Sequence, residues 1–166
     1  MQPDTAFVLT SDDDTLAALL RRAAGARGLR IPVRGPETHK GRIGDAVERL
    51  VLGRQHTGKS ADHPAAELKS VPVEGERVVE RCKLGILSAR SNPLLKCESI
   101  LFVFVETRGR DAFVAGHAHV AFPRAAWLAL WRSGHLVETA AGVSGEETRG
   151  LYLTPRFFHD HGHWPG

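Results

Sequence analysis

A chain of 166 residues can fold into one compact domain with a substantial core and leaves little room for a second. Its 42% hydrophobic and 25% charged residues exclude a disordered chain, and its net charge of +3 is too small to identify a partner by itself. The longest apolar run, around residues 100–105, is too short to cross a bilayer, so no membrane association is expected. The first residues (Met1, Gln2, Pro3, Asp4) lack the basic start and apolar stretch of a secretory signal. Cys82 and Cys97 have no CxxC spacing and are expected as reduced thiols in a cytoplasmic protein.

Helical spacing of Leu16, Leu19, Leu20 and Ala23 predicts a first helix over residues 15–24, with Asp12 to Asp14 available to cap it. Residues 25–40 are rich in Gly, Pro and Arg and read as a basic arm. A second helix is expected over residues 42–52, burying Ile43, Val47, Leu50 and Val51 and stopping at Gly53. The polar stretch 55–65, broken by Gly58 and Pro64, reads as a loop. Alternation then predicts a strand over 67–73, a turn at 74–76 and a partner strand over 77–87. The segment ESILFVFVE (98–106) reads as a central buried strand, followed by a turn at 108–111 and a strand over 112–122. Pro123 is placed at the first position of a helix over 124–131, whose Trp127 and Trp131 read as core or interface residues. A glycine-bearing loop, a last strand near 151–153 and a flexible tail over 159–166 complete a single domain. The order predicts an α/β (mixed α+β) fold, a mixed sheet flanked by helices.

The chemistry concentrates in Asp62-His-Pro-Ala-Ala-Glu67-Leu-Lys69. Alternate strand residues share a face, so Glu67 and Lys69 lie side by side while Leu68 points to the core, and Val71 and Val73 extend the wall beside them. Asp62 can be folded beside them from the incoming loop. Two carboxylates on one face make the hard, oxygen-rich site that Mg²⁺ prefers, and a neighbouring lysine can orient or deprotonate an attacking water. That combination suits phosphodiester hydrolysis, although Glu-x-Lys triplets are also common as exposed ion pairs. Between residues 21 and 60, ten Lys or Arg face only the acids Glu37, Asp45 and Glu48, a block that attracts phosphates.

The segment KGRIGDAVERLVLG (40–53), then Gly58, Asp62 and ELKSVPV (67–73), resembles the core of the MutH family of DNA endonucleases, which comprises mismatch-repair nicking enzymes and related type II restriction enzymes. Lys96 ahead of SILFVFVE and the element Arg149-Gly150-Leu-Tyr152-Leu resemble further family features. The resemblance implies a restriction-endonuclease-like PD-(D/E)xK fold, with Mg²⁺ (Mn²⁺ able to substitute) held by Asp62, Glu67 and the Leu68 carbonyl. It makes Lys69 the residue that acts on water, brings Glu48 to the site from its helix and sets Lys96 either by the scissile phosphate or where it positions the Lys69 region. Arg149 and Tyr152 would face DNA, and Lys40, Arg42, Lys59 and Arg156 complete the expected contact set. The sequence has no counterpart of the family's target-reading strand in its second half.

The expected activity is therefore sequence-specific cleavage of double-stranded DNA, of type II restriction kind, with a homodimer or a repair protein as possible further partner. MutH-like nicking in mismatch repair and a non-catalytic DNA-binding module are the alternatives. His117 and His119, or His159, His161 and His163, lack the fixed tetrahedral set of a zinc site. GRQHTGKS (53–60) looks like a phosphate-binding loop but follows a helix where such loops follow a strand, so no nucleotide is expected.

Overall fold

The Thr15 hydroxyl accepts the Ala18 amide N–H at 3.1 Å and so starts α1 (Leu16–Ala26), which buries Ala18, Leu19, Ala23 and Ala26 along one stripe. The computed structural model describes residues 15–33, 41–53, 61–140 and 148–162. β1 (Arg30–Ile31) follows, then α2 (Arg42–Leu52), which buries Ala46, Val47 and Val51. Gly53 ends α2 at φ 73°, a left-handed conformation that a residue without Cβ adopts at no steric cost. Next come β2 (Glu67–Glu74), β3 (Arg77–Val78), β4 (Cys82–Leu87), a 3-10 turn (Pro93–Lys96), β5 (Ser99–Arg108) and β6 (Asp111–Ala121). The chain closes with α3 (Arg124–Arg132), β7 (Leu136–Ala140), β8 (Arg149–Leu153) and α4 (Pro155–Asp160).

The strands make a five-stranded mixed sheet, ordered β1-β6-β5-β2-β3, and a three-stranded antiparallel sheet, ordered β4-β8-β7. β2 and β5 run parallel, in a register that sets Glu67 beside Ile100 and Lys69 beside Phe102. β5 is covered on both faces. Leu101, Val103 and Val105 pack against α1 and α2, while Ile100, Phe102 and Phe104 pack against the small sheet, α3 and α4. Each such side chain contributes about 1.5–3 kcal/mol on burial. The fold is therefore a mixed α+β arrangement with helices on both faces of the main sheet. No described helix is long and apolar enough to cross a membrane.

Several elements differ from the sequence reading. Residues 77–87 do not form one strand, because the partner edge contains Pro72. The Val79 amide reaches the Pro72 carbonyl at 3.4 Å, but proline has no N–H to return, so pairing stops and β4 departs to the second sheet. The basic arm is partly structured: Gly25 and Ala26 extend α1, and Arg30–Ile31 pairs with β6, while residues 34–40 lie outside the described set. Pro123 precedes α3 as its extended N-cap instead of entering it. Trp127 is buried and stacks on Phe122 at 4.5 Å, whereas Trp131 is 44% exposed and is not a core residue.

The expected tail begins as α4, which anchors Phe157 and Phe158 in the core, and His159 belongs to that helix. β7 falls inside the expected loop. A hydrogen-bonded chain ties the last elements together: Ser133 Oγ to His135 Nδ1 at 2.5 Å, and His135 Nε2 to Asp160 Oδ2 at 2.8 Å. Ser133 Oγ donates its one hydrogen to the Leu130 carbonyl in the last turn of α3, and so accepts from His135 Nδ1. It is a strut between α3 and α4.

Candidate active site

Residues 63–66 close on themselves. The His63 and Ala66 amides each donate to the other's carbonyl at 3.2 Å, Pro64 sits where a turn favours it, and His63 Nδ1 accepts the Ala65 amide at 3.0 Å. This tight turn brings Asp62 back against the start of β2. There the two residues interlock: the Asp62 amide donates to Glu67 Oε2 at 3.3 Å, and Asp62 Oδ2 accepts the Leu68 amide at 3.0 Å.

The second bond has a structural origin. Pro72 turns its carbonyl away from β5 toward Val79, so by the two-residue repeat of a strand Leu68 also turns its backbone groups away from β5. β2 has no strand neighbour on that edge before Val73. Asp62 supplies the acceptor that a neighbouring strand would have provided. The Leu68 carbonyl lies on the same open edge as its N–H, beside the Asp62 carboxylate.

On the other face of β2 the Glu67 side chain is 1% exposed. Its Oε1 accepts from Lys69 Nζ at 2.7 Å and from Lys96 Nζ at 2.8 Å. Lys96 reaches it from the end of the 3-10 turn, which Asn92 starts by accepting the Leu94 amide on Oδ1. A buried carboxylate is tolerable only with such compensation. Burial raises the Asp62 pKa above the ordinary carboxylate range, and the Glu67 charge adds to the rise. Burial works against the Lys69 ammonium, but the charge of Glu67 and the hydrogen bond to it outweigh that, so Lys69 holds its proton more tightly than an ordinary lysine. Burial pushes the nearby thiols up, Cys82 to about 12 and Cys97 to about 11. They are inert neutral walls, as expected of reduced structural cysteines.

Two clefts meet at this cluster. One is lined by Ala65, Glu67, Leu95, Lys96, Glu98 and Ser99. The other follows the open edge of β2 and is lined by Glu48 and Asp45 of α2, by Lys69 and Ser70, and by Arg81 and Lys83. Asp62, Glu67, Leu68, Lys69 and Lys96 are thus brought together, and Glu48 faces the Lys69 side. Arg42 opens α2. Arg149 is paired to Glu138 at 2.7 Å, Arg156 reaches Asp160 at 3.2 Å, and the Tyr152 ring lies over Gly150, opposite Lys83 in the register of β4 and β8. Lys40 and Lys59 lie outside the described residues. Glu98, Ser99 and Leu95 line the site with no sequence signal to announce them.

Among the described residues no group of three or more His, Cys, Asp or Glu side chains gathers as a metal cage. The donor set on hand is two adjacent buried carboxylates and one backbone carbonyl. It fits a hard divalent ion such as Mg²⁺, which keeps several waters and needs few protein ligands. His117 and His119 do not join it: burial lowers both pKa values, and His119 Nε2 contacts Ser99 Oγ at 2.8 Å. Compared with known proteins, the sequence matches no family model and no curated sequence.

Proposed function

We propose that this protein is a divalent-cation-dependent endonuclease that hydrolyses phosphodiester bonds in double-stranded DNA, of type II restriction kind. The observation that carries the reading is the gathering at Glu67 of the Asp62 backbone amide, with the Asp62 carboxylate held alongside on Leu68, and of two ammonium groups, Lys69 and Lys96, beside open clefts. In hydrolysis a water oxygen forms a bond to phosphorus, the opposite P–O bond breaks, and the leaving oxygen takes a proton. Mg²⁺ or Mn²⁺ held by Asp62, Glu67 and the Leu68 carbonyl would supply water activation and neutralise charge on the phosphate.

The chain's own groups do the rest. Lys69, paired to Glu67, is an ammonium and orients the attacking water as a donor; it can accept a proton only once another cation takes over the charge of Glu67. Lys96, more open to solvent, is positioned to contact a phosphate oxygen. Glu48 faces the Lys69 side and adds a carboxylate to the water's surroundings. A cytoplasmic setting, where Cys82 and Cys97 stay reduced, suits a DNA-cleaving enzyme.

Incubation of supercoiled plasmid, methylated and unmethylated, with Mg²⁺ or EDTA tests the proposal. Discrete metal-dependent linear fragments are expected, and open circles alone would instead assign a nicking enzyme. Lys69→Ala and Glu67→Gln should each lower cleavage by about 10²–10⁴-fold while leaving duplex affinity largely unchanged. Full activity in either variant would move the active site elsewhere, and duplex binding without cleavage in Mg²⁺ or Mn²⁺ would leave a DNA-binding module.

A further inference from the structure

The segment between β4 and β5 folds tightly on its own backbone. The Ser88 and Ser91 amides each donate to the other's carbonyl at 2.9 and 3.3 Å, and the Arg90 amide donates to Ser88 Oγ at 3.2 Å. The result is a rigid projection carrying Arg90. Behind it runs a groove lined by Ile86, Arg90, Asn92, Leu95 and Lys96, with no acidic side chain among its described walls. Leu95 and Lys96 also line the cleft that opens on Glu67, so the groove and that cleft adjoin on either side of the 3-10 turn.

Three properties of this groove point the same way. The guanidinium of Arg90 has no carboxylate partner among the described residues, a property it shares with Arg81 and Arg110, but of these it alone lines this groove. The tight loop holds its backbone in place, so ordering it on binding has little entropic cost. Lys96 at the shared ridge already addresses the cluster at Glu67.

We infer that this groove receives the DNA backbone next to the cleaved bond, with Arg90 binding a flanking phosphate and Leu95 packing on the sugar between that phosphate and the one at Lys96. The assignment rests on the endonuclease reading and extends it by naming a second contact point on the strand. A guanidinium fork matches two phosphate oxygens, which a lysine cannot reproduce.

The test is fluorescence anisotropy of a labelled duplex with the full chain in EDTA, over a range of salt concentrations. Arg90→Ala should weaken binding about tenfold or more, the loss of one bidentate charge-assisted contact, and reduce the slope of log affinity against log salt by about one. Arg90→Lys should recover part of the loss, and Arg90→Glu should lose more than Arg90→Ala. Arg110→Ala, in the exposed turn at the far end of β5, serves as the control and should leave affinity unchanged.

If the parent chain binds duplex and both Arg90→Ala and Arg90→Glu match it in affinity and slope, the groove assignment is overturned and the endonuclease reading stands. Loss confined to particular base sequences, with unchanged slope, also overturns the backbone assignment. If the parent chain binds no duplex at low salt, both readings fall together.

Discussion

Asp62 serves two opposed demands. Its Oδ2 completes the backbone bonding of Leu68, yet its charge sits buried beside that of Glu67. Native Asp62 keeps its proton to a higher pH than it would unfolded, so between those two pH values the folded state binds the extra proton and stability falls as pH rises. Above both values the loss is complete. Asp62→Asn keeps an oxygen for the Leu68 amide and removes the charge. In EDTA it should therefore raise Tm at pH 7, with the gain shrinking toward pH 4, while cleavage is abolished. A pH series of thermal melts checks this, and a lower Tm at pH 7 would mean that the Asp62 charge stabilises the fold. Asp62, Glu67 and Lys69 could be paired from sequence because eight consecutive positions and a single turn decide their meeting. Lys96 is brought in from 27 positions beyond Lys69 by the parallel pairing of β2 and β5, and only resemblance suggested it.

Among the elements, the 3-10 turn that carries Lys96 is held by an unusual contact. β4 breaks register between Lys83 and Gly85, and Gly85, at φ 154°, lies so close to Pro93 that an added Cβ would stand 2.5 Å from the proline Cβ. Pro93 is the first residue of that turn. Gly85→Ala must push the turn outward or bend β4, at a cost of about 1–3 kcal/mol. The predicted signature is a lower Tm together with slower cleavage, as Lys96 loses its place against Glu67. An unchanged melt and rate would show that the turn is positioned by other contacts.

The same region shows where local pattern stops being informative. α2 was legible to the residue because its apolar spacing and terminal glycine are both local, and β5 because its run of large apolar residues is long. The departure of β4 to another sheet depends on a proline in a different strand. β7 buries only Leu136, and the strut from Ser133 through His135 to Asp160 joins positions far apart in sequence.

For the molecule as a whole, both cysteines sit in the core shared by the two sheets, fully enclosed and held as neutral thiols. Their reaction with a disulfide reagent at pH 8 should follow global opening of the fold: negligible in buffer, and two equivalents in denaturant. Rapid labelling of the native chain would show that the two sheets separate readily. The arrangement of β5 has a further consequence for how the chain comes into being. SILFVFV is apolar, rich in β-formers and without proline, the composition of a self-associating strand. One of its edges is closed by β6 through a two-residue turn with Gly109 at φ 62°, a pairing available as soon as both strands leave the ribosome. The other edge must wait for β2, already synthesised but needing a slower parallel crossover. During that interval Glu98 and Glu106, one at each end of the run, act as gatekeepers, and neutralising them should increase inclusion-body formation at unchanged native architecture.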